Sequence, residues 1–157
     1  YRREWFPQGR EMIQANRGDR QAGCLVGLHY HLHQADYWYV PIGTCRVVLH
    51  DLRVGSPTDG ATHAIDIGAR ADGTHDHRGI FIPPGVAHGF ASLTDMTITY
   101  LVDSYYNPKD ELGLAYNDKA VKADWGIEKP ILSDRDAANP TRDAIKDQVR
   151  PFWPMRT

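Results

Sequence analysis

Apolar and polar residues alternate with a period of two along much of the chain, which is typical of β-strands with one buried face. The pattern predicts strands over residues 12–15, 25–33, 37–40, 44–52, 61–67, 79–82, 86–93 and 96–103. Glycine and proline lie between these runs, as in Pro83-Pro-Gly85, and predict turns. Only residues 136–148 are compatible with a helix, which would begin near Thr141 or Arg142 because Asn139-Pro140 opposes an earlier start. The pattern therefore predicts an all-β sandwich or barrel with a short C-terminal helical segment.

Three histidines stand at alternate positions in the second of these predicted strands. The period of two would place His29, His31 and His33 on the same face of the strand. Imidazole rings are costly to bury without polar partners, so this face predicts a polar pocket or a metal site.

The composition limits the broad class of protein. With 157 residues, 41% of them hydrophobic, we expect a single domain over residues 1–157 with its own core. The chain begins at Tyr1, which is compatible with a missing N-terminal stretch. The formal net charge of -2 gives no support to nucleic-acid or membrane binding. Cys24 and Cys45 are too few for a disulfide framework and favour a cytoplasmic location.

Two motifs together resemble the signature of the cupin superfamily. The first is Gly23-x5-His29-x-His31-x4-Asp36-x6-Gly43, and the second is Pro83-Pro-Gly85-x2-His88. The first has Asp36 where the superfamily usually has Glu, and the second has Ser92 where it usually has Asn. The resemblance implies a cupin-type double-stranded β-helix, or jelly roll, with its site inside the barrel.

A closer resemblance, to the dTDP-4-dehydrorhamnose 3,5-epimerase family, covers about residues 4–140. Its motifs occur in order: Gly27-Leu-His-Tyr30, Asp51-Leu-Arg-Val-Gly-Ser-Pro-Thr58, Pro84-Gly-Val-Ala-His-Gly-Phe90, Tyr100, Tyr106-Asn-Pro108 and Leu132-Ser-Asp-Arg-Asp136. The resemblance implies a cofactor-free homodimer that acts on a small-molecule nucleotide sugar. In this family, a base removes the proton next to the 4-keto group, and an acid reprotonates the enolate on the other face.

The resemblance also implies a role for each matching residue. His29 matches the base, Asp134 the carboxylate that orients it, and Tyr100 the acid. The expected substrate-binding residues are Tyr106, His88, Gln14, Asn16, Arg53 and Glu4. Taken singly, Arg53, Glu4 and Asn16 are better explained as surface residues.

Three departures from the family alter the expected charge of the site. The family usually has Arg at the position of Val26 and Lys at the position of Asp36. It also has an acidic residue on a nearby strand, where this chain has Val47. A cation beside a developing oxyanion stabilises the transition state by about 3 to 4 kcal/mol. A carboxylate at the same position would instead repel the oxyanion. A modified substrate or single-centre epimerisation is therefore one interpretation.

Two alternatives stay open. His29, His31, Asp36 and His88 match the ligand positions of metal-binding cupins, so the protein could be a metal-dependent enzyme with one divalent transition metal. His29 could not then also serve as the base. The other alternative is a catalytically silent protein that binds sugar nucleotides.

Overall fold

Ten β-strands form almost all of the regular structure. The structure is a computed structural model and describes residues 2–5, 10–145 and 147–153. The strands are β1 Gln14–Arg20, β2 Leu25–Tyr30, β3 Asp36–Ile42, β4 Thr44–Asp51, β5 Thr62–Ala69, β6 His75–Asp76, β7 Ile80–Ile82, β8 Val86–Ser92, β9 Met96–Val102 and β10 Leu112–Gly113. No helix in the described ranges is long and apolar enough to span a membrane.

The strands form two antiparallel sheets. The smaller sheet has the order β1-β9-β3-β7, and the larger has the order β10-β2-β8-β4-β5-β6. Neighbouring strands are often distant in the chain, as in the pairing of Asp36 on β3 with Val102 on β9. This two-sheet, nearly all-β architecture is the predicted jelly roll.

The central strands of the larger sheet are buried on both faces. On one face, Val47 and Phe90 belong to a cluster that also contains Trp38 and Ile98 from the smaller sheet, and this cluster closes the space between the sheets. On the other face, Leu28 and its neighbours pack against the segment 114–145, including Leu114, Val121, Trp125 and Ile145. We call residues 114–145 the cover segment. Because both faces are covered, all seven residues of β8 are buried.

A β-bulge at Gly27 decides which side chains of β2 face the cavity between the sheets. Its pairing with β8 shifts register between Val26 and His29, so these two residues line the same cavity although they are three positions apart. Gly27 has a φ of 114°, and a Cβ there would lie 2.8 Å from Gly89 Cα. Only glycine fits this close approach, and the bulge is what directs His29 inward.

A C-terminal helical segment is present near the predicted start at Thr141 or Arg142, but it consists of short turns and not of one helix up to residue 148. The one α-helical turn in the described part of the chain, Asp134–Ala137, lies before Asn139-Pro140 and is capped by Ser133. Separate 3-10 turns follow at Arg142–Ala144 and Asp147–Val149, and residue 146 lies outside the described residues. The segment has no continuous apolar stripe and is too short to form a helix without one, so short turns packed on the sheet replace it.

Candidate active site

A cavity of about 300 Å³ opens between the two sheets. Its volume is at the lower end of the range usual for small-molecule sites. It is lined by Gln14, Asn16, Arg17, Gly18, Arg20, Val26, His29, His31, Gln34, Asp36, Trp38, His88, Phe90, Ile98, Tyr100, Val102, Tyr106, Asn107 and Glu111. Both sheets contribute, so a bound molecule would meet groups on two opposite sides.

His29 is paired with a buried carboxylate. Its Nε2 lies 2.6 Å from Oδ1 of Asp136, and the other oxygen of Asp136 accepts a hydrogen bond from the Gly27 amide at 3.3 Å. Burial by itself would raise the pKa of Asp136, but the hydrogen bonds from His29 and Gly27 outweigh it and leave the pKa lowered. An ionised Asp136 accepts the Nε2 proton, which places the basic lone pair of His29 on Nδ1.

The carboxylate that contacts His29 is therefore Asp136, and the expectation that Asp134 makes this contact is corrected. Ser133 caps the helical turn, and its hydroxyl accepts a hydrogen bond from the main-chain amide of Asp136. Asp134 occupies the first position of the turn and is exposed, whereas Asp136 is 4% exposed and faces β2. Two acidic residues stand two positions apart in this motif, and the capping geometry decides which of them is buried.

Tyr100 lines the cavity from the smaller sheet. It lies on β9, paired with Trp38 of β3, whereas His29 lies on the opposite sheet. Burial raises the pKa of Tyr100, and the negative charges of Asp36 and Glu111 raise it further. Its phenol therefore keeps its proton at neutral pH and can act as a donor.

A second polar group consists of His31, Asp36 and His88, and all three residues are buried. One ligand atom from each lies within 4.8 Å of the others. His29 is not part of this cluster, because its ring is turned to Asp136. Of the four residues predicted as an alternative metal site, three thus form a cluster, and His29 is paired with Asp136 instead.

Asp110 holds the loop that carries two of these cavity residues. Its carboxylate accepts hydrogen bonds from three consecutive amides, those of Leu32, His33 and Gln34. Its main-chain oxygen lies 2.6 Å from Nδ1 of His31. β2 ends at Tyr30, so this loop, and not a longer strand, positions His31 in the cavity and leaves His33 exposed.

The remaining predicted substrate-binding residues are divided between the cavity and other sites. Gln14, Asn16, Tyr106 and His88 line the cavity. Arg53 does not line it, and its predicted contact with the substrate stays a prediction.

The Arg53 guanidinium donates to both oxygens of Asp51 and lies 4.6 Å from the centre of the Trp153 ring. Glu4 is exposed in the turn Arg3–Trp5 and is likewise outside the cavity lining.

Several cavity residues were not predicted. Gln34 and Trp38 donate hydrogen bonds to the two oxygens of Asp36, and Arg20 extends along β1 over Gly18. Period-two alternation along β3 would have placed Trp38 on the face of Asp36, two positions earlier. Gln34 and Asp110 lie in loops, where no periodic signal exists.

Comparison with known proteins gives a consistent result. The family model described as dTDP-4-dehydrorhamnose 3,5-epimerase matches residues 1–143. The enzyme of that name from Mycobacterium tuberculosis H37Rv is 35% identical over 151 residues, which are 91% of this chain and 72% of that protein. The enzyme of that name from Shigella flexneri is 32% identical over 130 residues, covering 80% and 69%.

Solved structures agree with the sequence matches. RmlC of Legionella pneumophila, in complex with dTDP-4-keto-L-rhamnose, superposes with a TM-score of 0.82 at 32% identity, covering 91% of this chain and 76% of that one. ChmJ, a 3'-monoepimerase of Streptomyces bikiniensis in complex with dTDP-quinovose, gives a TM-score of 0.84 at 29% identity, covering 98% and 80%. By fold, the protein is one of the cupin-type carbohydrate epimerases. More particularly, the chain belongs to the dTDP-4-dehydrorhamnose 3,5-epimerase family.

Proposed function

We propose that the protein is a nucleotide-sugar epimerase that inverts C3, C5 or both in a dTDP-4-keto-6-deoxyhexose. The observation that carries this proposal is the placement of the His29–Asp136 pair and of Tyr100 on opposite sides of one cavity. Inversion of a carbon centre requires proton removal on one face and proton delivery on the other. Relatives whose names describe 3,5- and 3-epimerases support the same reaction class.

The proposed reaction moves one proton at each centre and needs no oxidant. Nδ1 of His29 removes the proton next to the 4-keto group, and the electrons of the broken C–H bond form the C=C bond of an enolate. Asp136 stabilises the imidazolium that results. Tyr100 then donates its phenolic proton to the opposite face, the carbonyl re-forms, and solvent returns a proton to Tyr100 and takes one from His29.

The first experiment is proton NMR of dTDP-4-keto-6-deoxyglucose with the protein in D₂O. Deuterium at C3 and C5 would support a double epimerase, and deuterium at one carbon would support a single-centre enzyme. No exchange at either carbon, from a folded protein that binds the sugar nucleotide, would contradict the proposal and support a silent binding protein.

Two pairs of variants test the assigned roles. His29→Gln and Tyr100→Phe should each lower the exchange rate by a factor on the order of 10² to 10⁴. The matched controls are His33→Gln and Tyr105→Phe, since both of these residues are exposed and lie outside the cavity. Wild-type exchange in either site variant would remove that residue from the mechanism.

Assembly as a homodimer and a cytoplasmic location stay predictions. Sedimentation of the purified chain would test the assembly.

A further inference from the structure

We propose that His31, Asp36 and His88 bind one divalent transition-metal ion, separately from the His29–Asp136 pair. The binding itself does not depend on the proposed epimerase activity. Two imidazole nitrogens and one carboxylate are a ligand set typical of Zn²⁺, Fe²⁺, Co²⁺ and similar ions, with coordination positions left open.

The hydrogen bonds of both imidazoles leave the correct nitrogen free for a metal. Nδ1 of His31 lies 2.6 Å from the main-chain oxygen of Asp110, and Nδ1 of His88 lies 2.9 Å from that of Val86. A carbonyl oxygen can only accept, so each Nδ1 carries the proton and each Nε2 of a neutral ring carries a lone pair. Metal-binding histidines usually have this arrangement, with the other ring nitrogen held by a carbonyl or carboxylate.

Both lone pairs face the carboxylate of Asp36. Nε2 of His31 lies 3.9 Å from one oxygen of Asp36, and Nε2 of His88 lies 3.7 Å from the other. The indole of Trp38 and the amide of Gln34 each donate a hydrogen bond to Asp36, at 3.1 Å and 2.8 Å. A cation between these three buried electron-donating groups would remove their mutual repulsion, which the Gln34 amide offsets only in part.

The distances are close to those of an occupied site. Ligand atoms around a tetrahedral ion, each about 2.1 Å from it, are about 3.4 Å apart. The spacings of 3.7 and 3.9 Å run to different oxygens of Asp36, and one ligand atom from each residue lies within 4.8 Å of the others. Binding an ion therefore requires the widest separation to shrink by up to about 1.4 Å. The amide of Gln34 also donates to Nε2 of His31 at 3.2 Å, and an entering ion would replace this contact.

The cluster faces the cavity, which gives the ion a chemical role. Asp36 and Glu111 both line the cavity and are acidic. The expected substrate adds further negative charge, from its diphosphate and from the developing enolate oxygen. A metal ion at the cluster would neutralise Asp36 and polarise the 4-keto oxygen as a Lewis acid. This role, unlike the binding, rests on the proposed function.

The test uses the full chain without a polyhistidine tag, stripped with a chelator and dialysed. Co²⁺ alone is titrated into the protein and followed by its visible d–d absorption, and Zn²⁺ is titrated by calorimetry. We expect one ion per chain. Asp36→Asn and His88→Gln should each weaken binding at least about 10-fold, the effect usual for loss of a metal partner.

The controls separate this site from other histidines. His33→Gln should bind Co²⁺ as the wild type does, because His33 is exposed and outside the cluster. His29→Gln should also retain binding, because His29 is held by Asp136. Absence of saturable binding in the wild type, or equal binding by Asp36→Asn, would overturn the site; loss of binding in His29→Gln would overturn the three-residue assignment.

The role of the ion is read separately. Chelated wild-type protein should exchange solvent deuterium into the sugar about 10² to 10³ times more slowly than the Co²⁺- or Zn²⁺-loaded form, the effect of losing one oxyanion-stabilising group. Equal rates would overturn the Lewis-acid role while leaving both the metal site and the epimerase proposal standing. Exchange absent in both forms would contradict the proposed function and leave the binding result unaffected.

Discussion

Asp134 and Asp136 stand two positions apart in the chain, yet Asp134 is exposed and Asp136 is buried. Both lie in the same helical turn, but only Asp136 contacts His29. Asp136 reaches the site through its two carboxylate oxygens, one of which contacts the ring of His29 while the other accepts a hydrogen bond from the amide of Gly27.

We expect Asp136→Asn to lower the rate of deuterium exchange by a factor on the order of 10² to 10⁴, since the amide cannot stabilise the imidazolium. Exchange followed by NMR under first-order conditions measures this effect. Asp134→Asn is the matched control and should exchange at the wild-type rate, because Asp134 is exposed. An equal loss of exchange rate in both variants would show that the contact between Asp136 and His29 does not determine the rate.

The sequence motifs identified the residue types of the site better than the contacts among them. His29 and Tyr100 lie at one cavity as predicted from motif order, and their roles stay predictions. The choice between two aspartates depends on where a capped turn lies against β2, which is a tertiary contact. Alternation likewise placed His33 with His29, although the strand ends before it.

At the scale of elements, strand positions could be predicted more closely than strand ends. Strong alternation identified the central strands, and turn residues bounded them. β6 and β10 have two residues each, too few to show a period, and were missed. The helical segment predicted within residues 136–148 is divided into short turns, because packing on the sheet and not local propensity decides its structure.

The loop between β2 and β3 is held by Asp110, and we expect Asp110→Ala to lower the free energy of unfolding by about 2 to 4 kcal/mol. The reason is that three amides lose a charged acceptor. Urea denaturation measures the change. Asp110→Asn retains one carbonyl oxygen and should lose less. A change below about 0.5 kcal/mol in the alanine variant would show that solvent replaces these hydrogen bonds without cost.

At the scale of the whole molecule, the cover segment is joined to the larger sheet by polar contacts as well as apolar ones. His50 of β4 is fully buried, and its Nε2 accepts a hydrogen bond from Arg142 at 3.1 Å. Its Nδ1 lies 2.8 Å from the hydroxyl of Thr62, which donates to the main-chain oxygen of Val121. This chain of hydrogen bonds requires a neutral imidazole.

Stability should therefore fall on acidification through a defined window. Burial lowers the pKa of His50 from 6.5 to about 4, so between these values the unfolded chain binds a proton that the folded chain does not. The free energy of unfolding should decrease as the pH falls from about 6.5 to 4, with a contribution of up to about 1.4 kcal/mol per pH unit.

Urea denaturation at several pH values measures this slope. His50→Asn should be less stable than the wild type at pH 7 but should have a shallower slope between pH 6.5 and 4. His63→Asn is the matched control, because His63 lies on the neighbouring strand β5 and is exposed. A slope in His50→Asn as steep as that of the wild type would assign the acid sensitivity to other groups.

The location of Asp136 has a consequence for inactivation by heat. The proposed base, His29, lies on a sheet, while the carboxylate paired with it lies on the segment packed over that sheet. Parts of a protein can open at a lower free energy than the whole, and a covering segment is a natural unit of such opening. Detachment of this segment would abolish turnover while both sheets kept their pairing. Loss of activity on heating would then precede loss of the circular dichroism signal, and the protein would be inactivated before it melted.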